Sequence, residues 1–208
     1  MGKHPAQPWT PLSYEVSGKK ISIHVWGRTY VFDESIFPTS VTTAGREILS
    51  GPIQLHTFFH GKEDNLRESS VIFGEHDEEH FVFTVSQTAG NIIINARINV
   101  EYDGFARVQF TVIPFWSFSA NNQKVPSLDR LYIEIPVKKE FASLYHYWPN
   151  DDTSIIPAQD VVNSGRLAEE GLNLPFKPYI WAGWEDGGLG CMTQSDENIQ
   201  VAVREKTV

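Results

Sequence analysis

The sequence is poor in cysteine, with Cys191 as the only one among 208 residues. A single cysteine excludes an intrachain disulfide, a redox pair of thiols and a zinc site built from several cysteines. No base is identifiable beside Cys191 in the sequence. We therefore expect a small buried apolar residue at this position rather than a nucleophile.

Basic residues and long apolar runs are also scarce. The chain has 17 lysines and arginines against 26 aspartates and glutamates, for a formal net charge of -9. Nucleic acids and anionic membranes require a basic footprint, so neither is an expected partner, whereas a neutral or cationic ligand such as a sugar is compatible with this charge. No apolar run approaches the length of a membrane-spanning helix, which is about 18 residues. The opening "MGKHPAQPWTP" lacks the apolar block of a secretion signal. The chain is expected to be soluble, in a compartment that the sequence does not indicate.

Alternating strand patterns make up most of the chain, in which 41% of residues are hydrophobic and 12% aromatic. "KISIHVW" and "YVFD" predict a hairpin over residues 20–33, and "YDG" at 102–104 predicts a turn between two long strands. About a dozen strands exceed what one flat sheet holds, so the prediction is all-β, a large two-sheet antiparallel β-sandwich. The sandwich is expected to form a single domain over residues 1–208. A long irregular loop is expected at about 149–178, with at most a short helix near 166–170.

The sequence lacks the motifs of an enzyme that carries out catalysis without a further domain. There is no Gly-x-Ser-x-Gly elbow, phosphate-binding glycine loop or dinucleotide fingerprint, so no cofactor is expected. "EHDEEH" at 75–80 would place His76 and His80 on one face of a helix as metal ligands, but strand patterns flank it. A solvated hairpin turn is therefore favoured and no metal is expected. His24, His56 and His60 are isolated on strand patterns, where a hydrogen-bonded structural histidine is the commoner role.

Two segments combine aromatic and acidic residues in a way that suits carbohydrate. Aromatic faces stack on the apolar face of a pyranose, and carboxylates accept hydrogen bonds from its hydroxyls. "YHYWPNDD" and "WAGWEDGGLG" supply the candidate carbohydrate-binding residues Tyr147, Trp148, Asp151, Asp152, Trp181, Trp184 and Glu185. The alternative is structural, with part of each set in the core and the rest simply exposed.

The second of these segments predicts a strand, a tight turn and another strand. Glu185 and Asp186 are adjacent, so in a strand they point to opposite faces and do not converge on one glycosidic bond. If they lie in the turn, Gly187 and Gly188 are expected to supply its positive φ angles.

In combination, "VWGRTYVFDESIFPTSV", "NVEYDGFARVQFTVIP", "YHYWP" and "LPFKPYIWAGWEDGGLGCMTQSDEN" resemble the amino-terminal β-sandwich of the family-123 glycoside hydrolases. The resemblance spans about Lys19 to Gln200. It implies a sandwich of the supersandwich, mutarotase-like type, which in full-length relatives precedes a (β/α)-barrel. Those relatives include β-N-acetylgalactosaminidases, whose Asp-Glu pair lies on the barrel and assists attack by the substrate's own acetamido group.

The catalytic barrel is absent from residues 1–208, so no catalytic residue is assigned to this chain. The resemblance implies a non-catalytic domain that supports a downstream carbohydrate-active barrel in cis. The alternative is an independent carbohydrate-binding module with exposed aromatic residues, for which carbohydrate is the partner. A third hypothesis makes the chain itself a hydrolase that uses Asp151, Asp152, Glu185 or Asp186.

Overall fold

A computed structural model describes residues 5, 7–114, 128–147, 164–167 and 179–194. Within these residues the chain is built from β-strands, with one short 3-10 helix at Lys139–Phe141. It divides into two compact units, Met1–Pro136 and Val137–Val208. Each unit is described by itself, and their membership of one domain stays a prediction.

Twelve of the described strands belong to the first unit. They are β1 (Ser13–Ser17), β2 (Lys20–Val25), β3 (Arg28–Asp33), β4 (Ser40–Thr43), β5 (Arg46–Glu47), β6 (Gln54–Phe59), β7 (Lys62–Glu63), β8 (Arg67–His76), β9 (His80–Ala89), β10 (Ile92–Glu101), β11 (Ala106–Pro114) and β12 (Leu128–Glu134). They form three antiparallel sheets with the orders β1-β2-β3-β4-β5, β11-β10-β9-β8 and β12-β6-β7. The predicted hairpin over 20–33 is confirmed as β2 and β3.

The first two sheets pack face to face through alternate side chains. In β10, Ile94, Ala96, Ile98 and Val100 are completely buried, while Asn95, Arg97 and Asn99 alternate with them on the other face. The rings of Phe32 in β3 and Phe83 in β9 meet edge to face with centroids 4.9 Å apart. Period-two burial of this kind gives each strand one apolar face, which must be covered by a second layer. The prediction of an all-β antiparallel sandwich is confirmed.

The turns at one end of this sandwich also follow the sequence. β8 and β9 are joined through 77–79, so the prediction of a turn at "EHDEE" is confirmed, and β10 and β11 are joined through "YDG". Gly104 in that turn has φ +87°, and a Cβ there would lie 2.2 Å from Arg28 Nη1. The same guanidinium donates to Asp103 O at 2.8 Å, and Tyr30 Oη donates to Gly104 O at 2.8 Å. The turn between β10 and β11 is thereby fastened to β3 of the first sheet.

The second unit contains four described strands in one antiparallel sheet. They are β13 (Leu144–Tyr147), β14 (Ser164–Arg166), β15 (Tyr179–Trp184) and β16 (Gly187–Met192), in the order β14-β13-β15-β16. β14 falls inside the segment 149–178 that was expected to be irregular, and Arg166 ends this strand rather than beginning a helix. The rest of that segment lies outside the described residues. No helix in the described parts of the chain has the length and apolar character of a membrane span.

Candidate functional site

The strand register separates the aromatic residues of the two predicted carbohydrate segments. Trp181 in β15 pairs with His146 in β13 and with Gly190 in β16. Directly paired residues share a face and neighbours along a strand alternate. Trp181 therefore lies on one face of the sheet, whereas Tyr147 and Trp184 lie on the other.

The indole of Trp181 rests on glycine backbone. A Cβ at Gly183 would lie 2.2 Å from the Trp181 ring and 2.4 Å from Gly187 O, and a Cβ at Gly188 would lie 2.5 Å from the ring. These distances leave no space for a methyl group, so the glycines of "WAGWEDGGLG" form a seat for the ring. Gly187 and Gly188 do not have positive φ, so the expectation that they supply it was wrong. The turn consists of Glu185 and Asp186, and both glycines are strand residues.

The remaining predicted carbohydrate residues are placed as follows. Trp184 packs against Phe141, with ring centroids 4.7 Å apart. Tyr147 is half-buried and stacks on Tyr145 at 6.3 Å with the planes 17° apart. Glu185 is exposed at the tip of the hairpin. Trp148, Asp151 and Asp152 lie outside the described residues, and carbohydrate contact by this set stays a prediction.

Cys191 lies in β16 opposite Ile180 and is half-buried rather than fully buried. Burial raises the pKa of its thiol, because the thiolate loses hydration in partly apolar surroundings. We expect the folded protein to react with a disulfide reagent at pH 8 several-fold more slowly than the urea-unfolded chain. Thiol titration followed by absorbance measures this, with Cys191→Ser as the blank. Equal rates in the two states would contradict a protected thiol.

A polar depression that sequence reasoning did not find lies on the outer face of the second sheet, at the end where its turns meet. Its volume is about 300 Å³. We call it the outer basin, and its lining is Glu75, Glu79, His80, Val82, Arg97, Asn99, Glu101 and Tyr102. It combines three carboxylates, one guanidinium, one imidazole, one amide and one phenol.

Register brings these side chains together. His80 pairs with Glu101, and Val82 pairs with Asn99, so these four residues share one face of β9 and β10. The buried residues Phe81 and Val100 point to the opposite, inner face. The backbone N–H of Tyr102 donates to Glu79 O at 2.9 Å and joins the turn after β10 to the turn before β9. The basin is therefore assembled from two consecutive hairpins, β8–β9 and β10–β11, whose turns meet at one end of the sheet.

Asp77 fixes one wall of the basin. Its Oδ1 accepts the backbone N–H groups of Glu79 at 2.8 Å and His80 at 2.9 Å, and lies 2.9 Å from His80 Nδ1. Partial desolvation opposes ionisation of Asp77, but these N–H groups and the charges of His80 and His76 outweigh it, so the pKa of Asp77 is lowered. An ionised Asp77 accepts a proton-bearing Nδ1, which leaves Nε2 as the His80 atom available to a ligand.

Asn99 carries an unsatisfied acceptor in the basin. Its Nδ2 donates to Glu101 Oε1 at 3.2 Å, and this contact fixes the amide orientation because a carboxylate only accepts. Asn99 Oδ1 is buried and has no hydrogen-bond partner among the described residues. Buried polar atoms without a partner cost free energy, so this acceptor is a local cost within the fold.

Aromatic rings adjoin the basin. Trp9 meets Tyr102 edge to face at 5.9 Å, and Trp9 meets Trp26 edge to face at 5.1 Å. Trp26 is 45% exposed. The chain thus places a partly exposed aromatic cluster beside a polar depression.

Two other histidines have structural roles, as predicted. His56 Nδ1 lies 2.5 Å from Glu63 Oε1 and Nε2 lies 2.9 Å from Glu134 Oε2, while its ring stacks on Tyr132 at 4.6 Å. His24 Nδ1 lies 3.1 Å from Thr29 Oγ1. Each ring is held by neighbours within its own sheet, which confirms the hydrogen-bonded structural assignment for both.

The fold places the chain among antiparallel β-sandwich domains with a polar outer surface. Residues 15–155 match the family model described as glycoside hydrolase 123, third domain. This match covers more than half of the sequence, and the chain belongs to that family. The resemblance to the family-123 glycoside hydrolases is confirmed, whereas the amino-terminal position of this sandwich and its order relative to a barrel stay predictions. No curated protein matches the chain.

Proposed function

We propose that this domain does not itself break glycosidic bonds and instead supports a carbohydrate-active barrel in the same polypeptide. The observation that carries the proposal is the position of Glu185 and Asp186. Their carboxylates project from the exposed tip of the hairpin between β15 and β16. A glycosidase needs two carboxyl groups that converge on one bond from about 5–10 Å apart, in a site that holds the sugar. A hairpin tip does not provide such a site.

Among the described residues, neither of the two carboxyl groups whose pKa is displaced is shifted in the direction that a general acid requires. A general acid for glycoside cleavage needs a carboxyl group whose pKa is raised, so that it keeps its proton near neutral pH. Glu34 instead has a lowered pKa, because Ser69 and Lys19 donate hydrogen bonds to its carboxylate. Asp77 is also lowered, as described above. Both groups favour the ionised state, which suits structural acceptors.

The purified chain is expected to release no chromophore from a panel of nitrophenyl β-glycosides and β-N-acetylhexosaminides above the buffer rate. Glu185→Gln should give the same trace, since the proposal assigns no chemistry to that carboxylate. If the natural sequence turns over a glycoside and Glu185→Gln abolishes that turnover, the result would contradict the proposal and favour a hydrolase. The supporting role is tested separately, by reading the gene that encodes this chain. This gene should encode a (β/α)-barrel in the same polypeptide.

A further inference from the structure

We propose that β1, at the edge of the first sheet, accepts an extended segment of another protein as an additional antiparallel strand. The segment carries apolar side chains at alternate positions and basic residues at its carboxyl end. This role goes beyond the support of a barrel and does not depend on it. Among the described strands, β1 pairs with β2 alone, and all five of its residues are exposed.

The turn after β1 determines which of its backbone groups bond to β2. Gly18 has φ +62° and lies with Lys19 in a two-residue turn that is closed by the pair Ser17–Lys20. The pair that closes such a turn exchanges hydrogen bonds, and along the hairpin such pairs alternate with pairs that exchange none. Alternate residues of β1 therefore bond to β2, and the residues between them direct their N–H and C=O groups to the open edge.

Tyr14 and Val16 are the residues whose backbone groups face the open edge. Leu12 continues the same alternation, and its N–H donates away from β2, to Glu78 O at 2.8 Å. Among the described residues, no backbone hydrogen bond outside the β1–β2 ladder uses Tyr14 or Val16. Their N–H and C=O groups therefore have the spacing that an added antiparallel strand needs.

β1 lacks the features that keep sheet edges from pairing. Natural edge strands carry prolines, inward-pointing charges or bulges. β8, at the edge of the second sheet, has register shifts after Arg67 and after Phe73. By contrast, β1 pairs with β2 in unbroken register, and its single charged residue, Glu15, lies on the outer face opposite Ser22. β1 is therefore regular enough to template a further strand.

The side chains beside this edge select apolar residues on one face of the incoming strand. Tyr14 and Val16 pair with completely buried residues of β2 and so belong to the inner face, yet they are 39% and 43% exposed. Phe73 of the facing sheet is 44% exposed, and the rings of Tyr14 and Phe73 lie 4.5 Å and 6.5 Å from that of Phe81. An added strand places every second side chain against these groups and removes apolar surface from water.

Charge beside β1 selects a basic segment. The turn that joins β8 to β9 contains Asp77, Glu78 and Glu79, and it is bonded to Leu12 immediately before β1. The carboxyl end of an antiparallel partner lies beside the start of β1, so lysines at that end meet opposite charge. A second copy of this chain, with a formal net charge of -9, meets like charge instead.

Amide hydrogen exchange of the isotope-labelled chain, followed by NMR, tests the proposal. The probe is the acetylated and amidated peptide Ser-Val-Thr-Val-Thr-Val-Lys-Lys. At saturation the amides of Tyr14 and Val16 are expected to exchange at least tenfold more slowly, with a Kd on the order of 1 mM. The amide of Glu15 is the internal control, because it already bonds to β2 and should slow by no more than about threefold. Unchanged exchange at Tyr14 and Val16 in tenfold higher peptide would overturn the proposal.

Two control peptides separate backbone pairing from charge. Residues that pair directly share a face, so the valines of the probe lie opposite Tyr14 and Val16. Methylation of the valine amide nitrogens removes the donors that face β1 and should abolish the protection. Replacement of both lysines by glutamate should weaken binding at least fivefold. Full protection by the methylated peptide, or equal binding of the acidic one, would contradict the assigned mode or partner.

A variant of the edge locates the binding on the protein. Val16→Pro removes an outward N–H and leaves the β1–β2 ladder intact, because proline is tolerated where an edge N–H faces solvent. It is expected to weaken binding at least tenfold, whereas the matched control Val16→Thr keeps the N–H and should bind within about twofold. If Val16→Pro fails to fold, the methylated peptide on the natural sequence carries the test.

A second copy is the competing occupant of the edge. Protection of the Tyr14 amide that rises with protein concentration, without any peptide, would overturn the choice of partner. We expect no such rise. Glycoside turnover is unaffected by these outcomes, so failure of the strand-addition proposal is distinguishable from failure of the non-catalytic one.

Discussion

Phe83→Ala is expected to lower the free energy of unfolding of the first unit by about 3–5 kcal/mol, the largest effect of any single substitution considered for this chain. Phe83 has no exposed surface, and its ring lies between Phe32 of the facing sheet and Phe81 of its own strand. Truncation removes apolar contact on both sides and leaves a cavity that rigid sheets refill poorly.

Urea unfolding followed by circular dichroism measures this change as a shift of the midpoint at unchanged slope. Phe105→Ala is the matched control, because Phe105 is 46% exposed in the turn before β11. The control should cost about 1 kcal/mol or less. Similar losses for both variants would mean that the packing between the first two sheets does not carry the stability of this unit.

Gly188→Ala is expected to disrupt the hairpin of β15 and β16, with a cost of about 2–3 kcal/mol or loss of the hairpin. A Cβ at Gly188 would lie 2.5 Å from the Trp181 ring and 2.6 Å from Ala182 O. The ring can rotate away, but the carbonyl belongs to the paired strand and moves only if the strands separate. The effect comes from collision, since Gly188 does not need a positive φ.

Hydrogen exchange of the segment 179–192 measures this effect locally. Gly190→Ala provides the control in the same strand and on the same face, because its nearest contact would be Tyr179 at an ordinary 3.4 Å. We expect amide protection to fall in Gly188→Ala and to persist in Gly190→Ala. Removing the indole in Trp181→Ala/Gly188→Ala should restore protection only in part, because the contact with Ala182 O remains. Equal protection in all three variants would contradict the steric explanation.

The sequence was most informative where a side chain's environment depends on its near neighbours. Alternation in "KISIHVW" predicted which residues of β2 are buried, and Ile21 and Ile23 are completely buried. "YDG" predicted a turn because Asp and Gly adopt the required backbone angles locally. The motifs of family-123 glycoside hydrolases were also readable in one chain, and the family match over 15–155 confirms them.

The candidate site was much less predictable, because it depends on the exact register of β9 and β10 and on the meeting of two turns at the end of the sheet. "EHDEEH" was correctly assigned to a turn, yet nothing local indicated that His80 would pair with Glu101, or that Asn99 would lie beside both. The aromatic residues of "WAGWEDGGLG" show a second limit of sequence reasoning, because their composition does not indicate which face of a strand each residue occupies. Their composition suggested one carbohydrate surface, while the pleat of β15 sends Trp181 and Trp184 to opposite faces.

By itself, the amino-acid sequence determined the all-β class, the inward and outward faces of the long strands, the main turns and the family. These properties follow from period-two alternation, turn residues and motifs, all of which act within a few positions along the chain. Only the tertiary structure decided that glycines 183 and 188 form the seat of an indole, and that two hairpins create the outer basin. The reason is that strand register sets which residues become neighbours, and register is fixed by the packing of whole sheets.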